Sequence, residues 1–207
     1  HTARAAPGLC DDRKFMAQPK EIWLIRHGET EWSLTGQHSG RHDLPLTKHG
    51  EEEARQTARA LNGRHFDLVL CSPLQRARRT CEIAGYLEQA RIEPAIQEWD
   101  YGDCTGFTRA QLQEKYGKWS IWDGPVPNGE SIEQIAARAH GVIESLNGRG
   151  GTVAVFAHGH FLRIFATQFL GLPPQHGSSL ALQTAAVCIL GQDDGFPAIL
   201  AWNRSVD

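Results

Sequence analysis

Short apolar runs alternate with segments whose apolar residues recur at helical spacing, and this alternation most limits the fold of the 207-residue chain. Residues 21–26, 67–71 and 152–156 are apolar runs of strand length, and a helix-type segment follows each of them. Strands that alternate with helices pack as a mainly parallel sheet with both faces covered. We therefore predict an α/β three-layer sandwich, with helices on both faces of a mainly parallel central sheet.

Capping residues and periodicity predict the bounds of the other elements. One helix should begin at Thr47 and end at Gly63 as its C-cap. The next should be capped by Ser72-Pro73 and should run to about Leu87. The same reasoning predicts strands at 91–97, 186–190 and 197–201, and helices within 108–116, from 131 to about 148, and from 160 to 170.

The length of the chain is typical of one domain. Residues 1–19 show no periodicity and lack the apolar stretch of a secretory signal. We predict that they form a flexible N-terminal extension and that residues 20–207 form a single domain.

Composition argues against several classes of function. A net charge of -3 does not favour a nucleic-acid or membrane surface, and no apolar run approaches the ~20 residues of a membrane helix. The five cysteines are odd in number and form no CxxC pair, which favours reduced, mostly buried thiols in a cytoplasmic protein. The sequence leaves the oligomeric state open between a monomer and a homodimer.

Three polar motifs follow predicted strands. They are Arg26-His27-Gly28, Ser72-Pro73 leading to Arg76, and His158-Gly159-His160. The carboxyl ends of strands in α/β sheets meet at one crevice, where ligands bind. Arginine matches phosphate oxygens bidentately, a neutral imidazole can attack phosphorus, and a cationic ring opposite would stabilise the developing charge. The combination favours a site for phosphate monoesters.

Each motif alone has a plainer interpretation. A histidine at a strand end often only packs or caps, and the basic cluster around Arg76 would ordinarily be a solvated helix face. The histidines, with Asp43, could also form a zinc site. Arg26 and Arg76 would repel a cation, so we expect neither a metal nor a cofactor.

The segments LIRHGETEW, DLPLTKHG, CSPLQRARRT, EWDYGD and FAHGHFLR occur in this order. Together they resemble the histidine phosphatase (phosphoglycerate mutase-like) superfamily over about residues 21–170. The resemblance implies that His27 accepts the phosphoryl group and that Arg26 and Arg76 bind it. It also implies that His158 completes the phosphate pocket and stabilises the transition state, and that Glu98 is the proton donor.

These roles set physical requirements. His27 must be neutral at its attacking nitrogen, so its other nitrogen should donate to a backbone carbonyl in the adjacent turn. The nearby arginines should lower its pKa. Glu98 must carry a proton to assist the leaving group, and it must then accept one from the hydrolytic water.

One departure from the common family pattern indicates a branch. Ser33 stands where many members have Asn, and Gln37 stands where they have Arg. The chain thereby resembles a sub-branch that includes the sedoheptulose-1,7-bisphosphatase-like sugar phosphatases.

That second resemblance implies a substrate wall made of His38, Ser39, Tyr101 and Arg163. Arg163 would meet a second phosphate or a carboxylate of the substrate. We expect His160 to support the site rather than to contact the ligand.

We predict a phosphomonoester hydrolase that acts through a phosphohistidine on a small phosphorylated metabolite, such as a sugar phosphate or bisphosphate. The compact segment 98–129 should admit water, which favours hydrolysis over phosphoryl transfer between substrates. Three alternatives stay open: a cofactor-dependent phosphoglycerate mutase, a broad-specificity acid phosphatase, and a binding protein on an inactive phosphatase fold.

Overall fold

A computed structural model describes residues 19–204. Its six strands are β1 (Glu21–Arg26), β2 (Leu68–Cys71), β3 (Ala90–Ile92), β4 (Thr152–Ala157), β5 (Val187–Asp193) and β6 (Phe196–Arg204). They form one sheet in the order β3-β2-β4-β1-β5-β6. The neighbouring strands β3, β2, β4 and β1 pair in parallel. The strand β5 pairs antiparallel with both β1 and β6. The predicted α/β fold with a mainly parallel sheet is confirmed.

Six α-helices connect the strands in this part of the chain. They are α1 (Glu31–Thr35), α2 (Lys48–Leu61), α3 (Gln75–Ile83), α4 (Arg109–Tyr116), α5 (Ile132–Leu146) and α6 (Gly159–Phe169). Short 3₁₀ turns lie at Leu87–Gln89, Pro94–Ile96, Gly102–Cys104 and Pro174–Ser179. None of the helices found within 19–204 has the length and apolarity to cross a membrane.

Alternation along the strands divides the core into two layers. Leu24 of β1 and Val155 of β4 belong to one cluster, which includes residues of α5 and α6. Ile25 and Phe156, their neighbours along the chain, belong to the other cluster, which includes residues of α2 and α3. Successive strand residues point to opposite faces, so runs that are apolar throughout require a helical layer on each side.

Several predicted element ends are wrong. The C-cap of α2 is Asn62, not Gly63, because the asparagine itself takes the left-handed conformation at φ 45°. Ser72 does not cap α3, since Leu74 holds the N-cap position and the first helical N–H, at Gln75, donates to Asp43 Oδ1 at 2.8 Å.

Two other predicted bounds are also wrong. The helix α3 ends at Ile83 rather than Leu87, shortly before a turn at Gly85, whose φ is 84°. The predicted strand 91–97 is only three residues long, because Pro94 cannot donate to a ladder and begins a 3₁₀ turn that the Glu93 side chain caps. Residues 1–18 lie outside the described residues, so the predicted flexible extension at 1–19 stays a prediction.

The four described cysteines, Cys71, Cys81, Cys104 and Cys188, are buried free thiols, as predicted. Cys10 lies outside the described residues.

Candidate active site

A cleft of about 170 Å³ opens at the carboxyl ends of the parallel strands. It is smaller than the ~300–1,000 Å³ pockets that hold drug-sized ligands. Eight of the nine residues predicted for the site line it: Arg26, His27, His38, Ser39, Arg76, Glu98, Tyr101 and Arg163. His158 does not. Seven residues outside the predicted set also line it: Ser33, Gly36, Gln37, Gly40, Gly159, His160 and Leu182. Of these, Gly36, Gly40 and Leu182 carried no signal that the sequence analysis used.

His27 follows the last residue of β1 and is only 5% exposed. Its Nδ1 lies 2.7 Å from the carbonyl oxygen of Gly28. Since a carbonyl only accepts, Nδ1 carries the proton and Nε2 holds the lone pair, as the sequence analysis required. Burial lowers the pKa of His27 well below its ordinary value, and Arg76 and Arg26 lower it further. The ring is therefore neutral, and burial contributes more to this than the arginines that were expected to cause it.

The turn after His27 is held by backbone-to-backbone contact. A Cβ on Gly28 would overlap the carbonyl of Gly50, and a Cβ on Gly50 would overlap the carbonyl of Glu29. The Gly28 N–H also donates to Thr80 Oγ1 at 3.1 Å. The first turn of α2 and the helix α3 thus fix the position of the nucleophile candidate.

Arg26 reaches across the cleft floor. Its Nη1 donates to the Leu182 carbonyl at 2.5 Å. Its Nε is the one buried side-chain nitrogen or oxygen within 19–204 that has no hydrogen-bond partner. The guanidinium lies against Gly159, where a Cβ would stand 3.2 Å from both Nε and Cζ. An unsatisfied buried donor is costly, so this atom favours an anion in the cleft.

Arg76 on α3 is completely buried. Its Nη2 donates to the Gly40 carbonyl at 2.7 Å, its Nη1 to the His42 carbonyl at 2.8 Å, and its Nε to His158 Nδ1 at 3.2 Å. A guanidinium has five donors, so these three bonds hold it in place and leave capacity for an oxygen ligand.

His158 lies beside the nucleophile candidate, with 5.2 Å between the centres of its ring and the ring of His27. Its Nδ1 accepts from Arg76, so its Nε2 carries the proton and donates to Ser72 Oγ at 2.7 Å. Burial, followed by Arg76, lowers its pKa well below the ordinary value. The lowered pKa favours a neutral ring, whereas a cationic ring was expected opposite the phosphate. Both nitrogens of His158 bind protein groups.

Glu98 lies between the sheet and the start of α6. Its carboxylate accepts from the backbone N–H groups of Trp99 at 2.9 Å, Phe161 at 2.9 Å and His160 at 3.2 Å. The last two belong to the first turn of α6, so Glu98 supplies the cap that His158, at the N-cap position, does not. These three bonds fix the position of the Glu98 carboxyl group, and the residue lines the cleft.

The outer wall is aromatic and polar. The Tyr101 hydroxyl lies 2.5 Å from His160 Nδ1, and His38 Nδ1 lies 2.8 Å from the Phe107 carbonyl. Ser39 adds a hydroxyl to the same wall. His160, which was expected to support the site rather than to contact the ligand, also lines the cleft.

Arg163 lines the cleft, but protein groups hold much of its guanidinium. Nε donates to the Gly177 carbonyl at 2.8 Å and Nη2 to the Ser178 carbonyl at 3.0 Å. Its Cζ stacks 4.5 Å above the Trp122 ring. These contacts give Arg163 a clear part in fixing the 3₁₀ turn at Pro174–Ser179.

The two positions that depart from the family pattern both lie on the wall. Ser33 exchanges capping bonds with Thr30 at the start of α1. Gln37 donates from its side chain to the Gly106 carbonyl at 2.8 Å. The departure itself was the signal that could have placed them in the site.

The alternative of a metal site finds no support in the side-chain arrangement. Within 19–204, no three His, Cys, Asp or Glu side chains come close enough together to hold a metal ion. Asp43 instead accepts from the backbone N–H of Gln75.

The chain is similar to a known family and to several characterised proteins. The model of the histidine phosphatase superfamily (branch 1) matches residues 22–205. An acid phosphatase of Mycobacterium tuberculosis is 35% identical over 180 residues, covering 84% of this chain and 87% of that protein. Sedoheptulose 1,7-bisphosphatase of Saccharomyces cerevisiae is 34% identical over 184 residues, covering 73% and 68%.

A mutase and a solved structure are also similar. A 2,3-bisphosphoglycerate-dependent phosphoglycerate mutase of Brucella anthropi is 35% identical over 174 residues, covering 75% of this chain and 84% of that protein. The solved structure of an open reading frame from M. tuberculosis superposes with a TM-score of 0.83 at 31% identity, covering 90% of this chain and 98% of that one.

Proposed function

The chain belongs to branch 1 of the histidine phosphatase superfamily, and from this premise we propose that it hydrolyses phosphate monoesters through a phosphohistidine at His27. The observation that carries the proposal is that two side-chain nitrogens at the cleft floor bind no other protein atom. The lone pair of His27 Nε2 is left open by the Nδ1 bond to Gly28, and the buried Nε of Arg26 has no partner. A phosphoryl group would occupy both.

The first step forms the bond between His27 Nε2 and phosphorus as the ester oxygen departs. Arg26 and Arg76 hold the equatorial oxygens and offset their charge. Glu98, protonated in the substrate complex, gives its proton to the leaving alkoxide. The products of this step are the free alcohol and a phosphohistidine.

The second step reverses the proton transfer. Water attacks phosphorus, its proton passes to the Glu98 carboxylate, and the N–P bond breaks to release inorganic phosphate. His27 returns to its neutral form. In the described geometry His158 acts through Arg76, whose Nε it binds.

We propose a small phosphorylated metabolite as the substrate. The cleft volume of about 170 Å³ favours a short molecule, and the wall of His38, Ser39 and Tyr101 favours a polar one. A sugar phosphate or bisphosphate meets both conditions, and a similar protein is a sedoheptulose 1,7-bisphosphatase. A second phosphate that binds Arg163 would compete with the carbonyls of Gly177 and Ser178 for its guanidinium.

The similar phosphoglycerate mutases support a second candidate reaction at the same site. A mutase passes the phosphoryl group of His27 to another substrate oxygen instead of to water. Activity on phosphoglycerate that depends on added 2,3-bisphosphoglycerate, with little release of phosphate, would favour this reaction.

The test is to trap the phosphoenzyme. Brief incubation with a ³²P-labelled phosphate ester and acid-free quenching should leave base-stable, acid-labile label on His27. His27→Gln should form no phosphoenzyme and release no phosphate, while His49→Gln, at a side chain that is 67% exposed, should behave as the wild type. Label on another residue, or turnover by His27→Gln, would refute the mechanism.

A further inference from the structure

Two imidazole rings stand nearly parallel in the cleft wall. The rings of His38 and His160 are 6.2 Å apart between centres, with 6° between their planes. Both residues are half-buried and both line the cleft. Their protonation patterns differ, and the difference can be worked out from the bonds at Nδ1.

His38 presents a hydrogen-bond acceptor. Its Nδ1 lies 2.8 Å from the Phe107 carbonyl, which can only accept, so Nδ1 carries a proton. Burial lowers the pKa of the ring, which therefore carries one proton at neutral pH. Its Nε2 is left with a lone pair.

His160 presents a hydrogen-bond donor. Its Nδ1 lies 2.5 Å from the Tyr101 hydroxyl, and burial raises the pKa of that phenol well above the ordinary value. The Tyr101 hydroxyl has no second hydrogen-bond partner in the described part of the chain, so we assign its proton to the bond with Nδ1. Burial, followed by Arg163, lowers the pKa of His160, so the single ring proton resides on Nε2.

His38 and His160 both line the cleft, and in each ring Nε2 is the nitrogen that the bond at Nδ1 leaves over. Neither Nε2 atom has a hydrogen-bond partner among residues 19–204, and neither is buried, since Arg26 Nε is the one buried unpartnered side-chain atom there. The wall therefore offers a fixed neutral acceptor beside a fixed neutral donor.

We propose that His38 and His160 form a hydroxyl-recognition pair that selects phosphate monoesters of polyhydroxylated alcohols. A hydroxyl is at once a donor and an acceptor, so one hydroxyl, or two neighbouring ones, can donate to His38 Nε2 and accept from His160 Nε2. A carboxylate has no proton for His38 and would meet its lone pair. The inference rests on the proposed phosphatase function and adds the two residues that recognise the hydroxyl groups of the leaving alcohol.

The first experiment compares three substrates that differ in the groups near the ester. Wild-type enzyme should hydrolyse glycerol 1-phosphate with a kcat/KM roughly 10- to 100-fold above that for propyl phosphate, because two hydrogen bonds are added. It should also prefer glycerol 1-phosphate to 3-phosphoglycerate. Equal kcat/KM values for glycerol 1-phosphate and propyl phosphate would overturn the inference and leave the phosphatase function intact. Absence of phosphate release from every ester, p-nitrophenyl phosphate included, would overturn the function itself.

Variants test the two nitrogens separately. His38→Phe removes the acceptor, and Tyr101→Phe removes the proton that holds His160 in one tautomer. Each should reduce the glycerol-to-propyl ratio by roughly tenfold. His49→Gln, a surface control, should keep the wild-type ratio. An unchanged ratio in both wall variants would contradict the pair.

Nitrogen-15 NMR of the histidine side chains gives a readout independent of turnover. Wild-type protein should show His38 protonated at Nδ1 and His160 protonated at Nε2. Tyr101→Phe should alter the nitrogen shifts of His160 and leave those of His38 nearly unchanged. The opposite tautomer at either ring in the wild type would refute the assignment.

Discussion

Replacing Gly159 with alanine should separate stability from activity. A Cβ at this first residue of α6 would stand 3.2 Å from Nε and Cζ of Arg26, a few tenths of an ångström inside the ordinary contact range of 3.4–4 Å. The added Cβ would force Arg26 to shift. The shift would strain the hydrogen bond from its Nη1 to the Leu182 carbonyl. The crowded atoms include the Nε that we assign to phosphate binding.

The expected loss follows from the bonds at stake. A hydrogen bond to a charged group contributes about 1.5–3 kcal/mol. Losing one such bond to the transferred phosphoryl group would lower kcat/KM by roughly 10- to 150-fold. Alanine is otherwise favoured over glycine in a helix, so the free energy of unfolding should stay the same or rise slightly.

Gly141→Ala is the matched control. Gly141 lies within α5, where an added Cβ would meet nothing within 4 Å. This change should stabilise the protein by about 0.5–1 kcal/mol, or roughly 1–4 °C in Tm, with no effect on kcat/KM. The assays are phosphate release and inhibition by orthovanadate, together with thermal unfolding. Wild-type kcat/KM and vanadate affinity in Gly159→Ala would refute the argument that Arg26 needs this approach.

Three further predictions follow from the buried polar groups. Glu98→Gln should slow hydrolysis of alkyl phosphates by about 10²–10⁴-fold. It should spare p-nitrophenyl phosphate, because that leaving group needs little protonation. Equal losses on both substrates in a steady-state assay would remove Glu98 from the acid role. Ser72→Ala leaves the Nε2 proton of His158 without an acceptor and should cost about 1–3 kcal/mol in urea unfolding, so an unchanged midpoint would argue against that bond. Folding lowers the pKa values of His27 and His158, so both rings contribute their full share to the free energy of unfolding above about pH 6.5. As the pH drops below that value, the free energy of unfolding should fall by about 1.4 kcal/mol per pH unit for each histidine. Urea unfolding between pH 7 and 5 tests this slope, and a flat profile would contradict the assigned protonation states.

The elements with a strong pattern could be predicted from the sequence. The strand Glu21–Arg26 is a continuous apolar run, and the helix Ile132–Leu146 has regular apolar spacing, although it ends two residues before the predicted end near Gly148. The wrong predictions concern element ends whose position depends on a local contact or backbone conformation. The end of α2 depends on whether Asn62 or Gly63 takes the left-handed conformation, and both residues have positive φ.

Site membership was more predictable than site geometry. Motifs brought Arg26, His27 and Arg76 to one cleft because strand ends converge. They could not show that Ser72 draws the Nε2 proton of His158 away from the cleft, since that bond joins residues 86 positions apart. Nor could they show that His160 faces the cleft, because the helix rotation that decides it is set by packing across the sheet.

The contact between Gly28 and Gly50 bears on how readily this protein could acquire new substrates in laboratory evolution. Each glycine faces main chain rather than a side chain, so no second substitution can relieve the overlap that a first would create. A saturation library should therefore tolerate nothing larger than glycine at either position, whatever the selected substrate. His38 and Ser39 lie on a different stretch of chain and can vary without touching this contact. Substitutions at His38 and Ser39 should therefore change substrate preference without moving the reactive imidazole of His27, so the chemical step is kept.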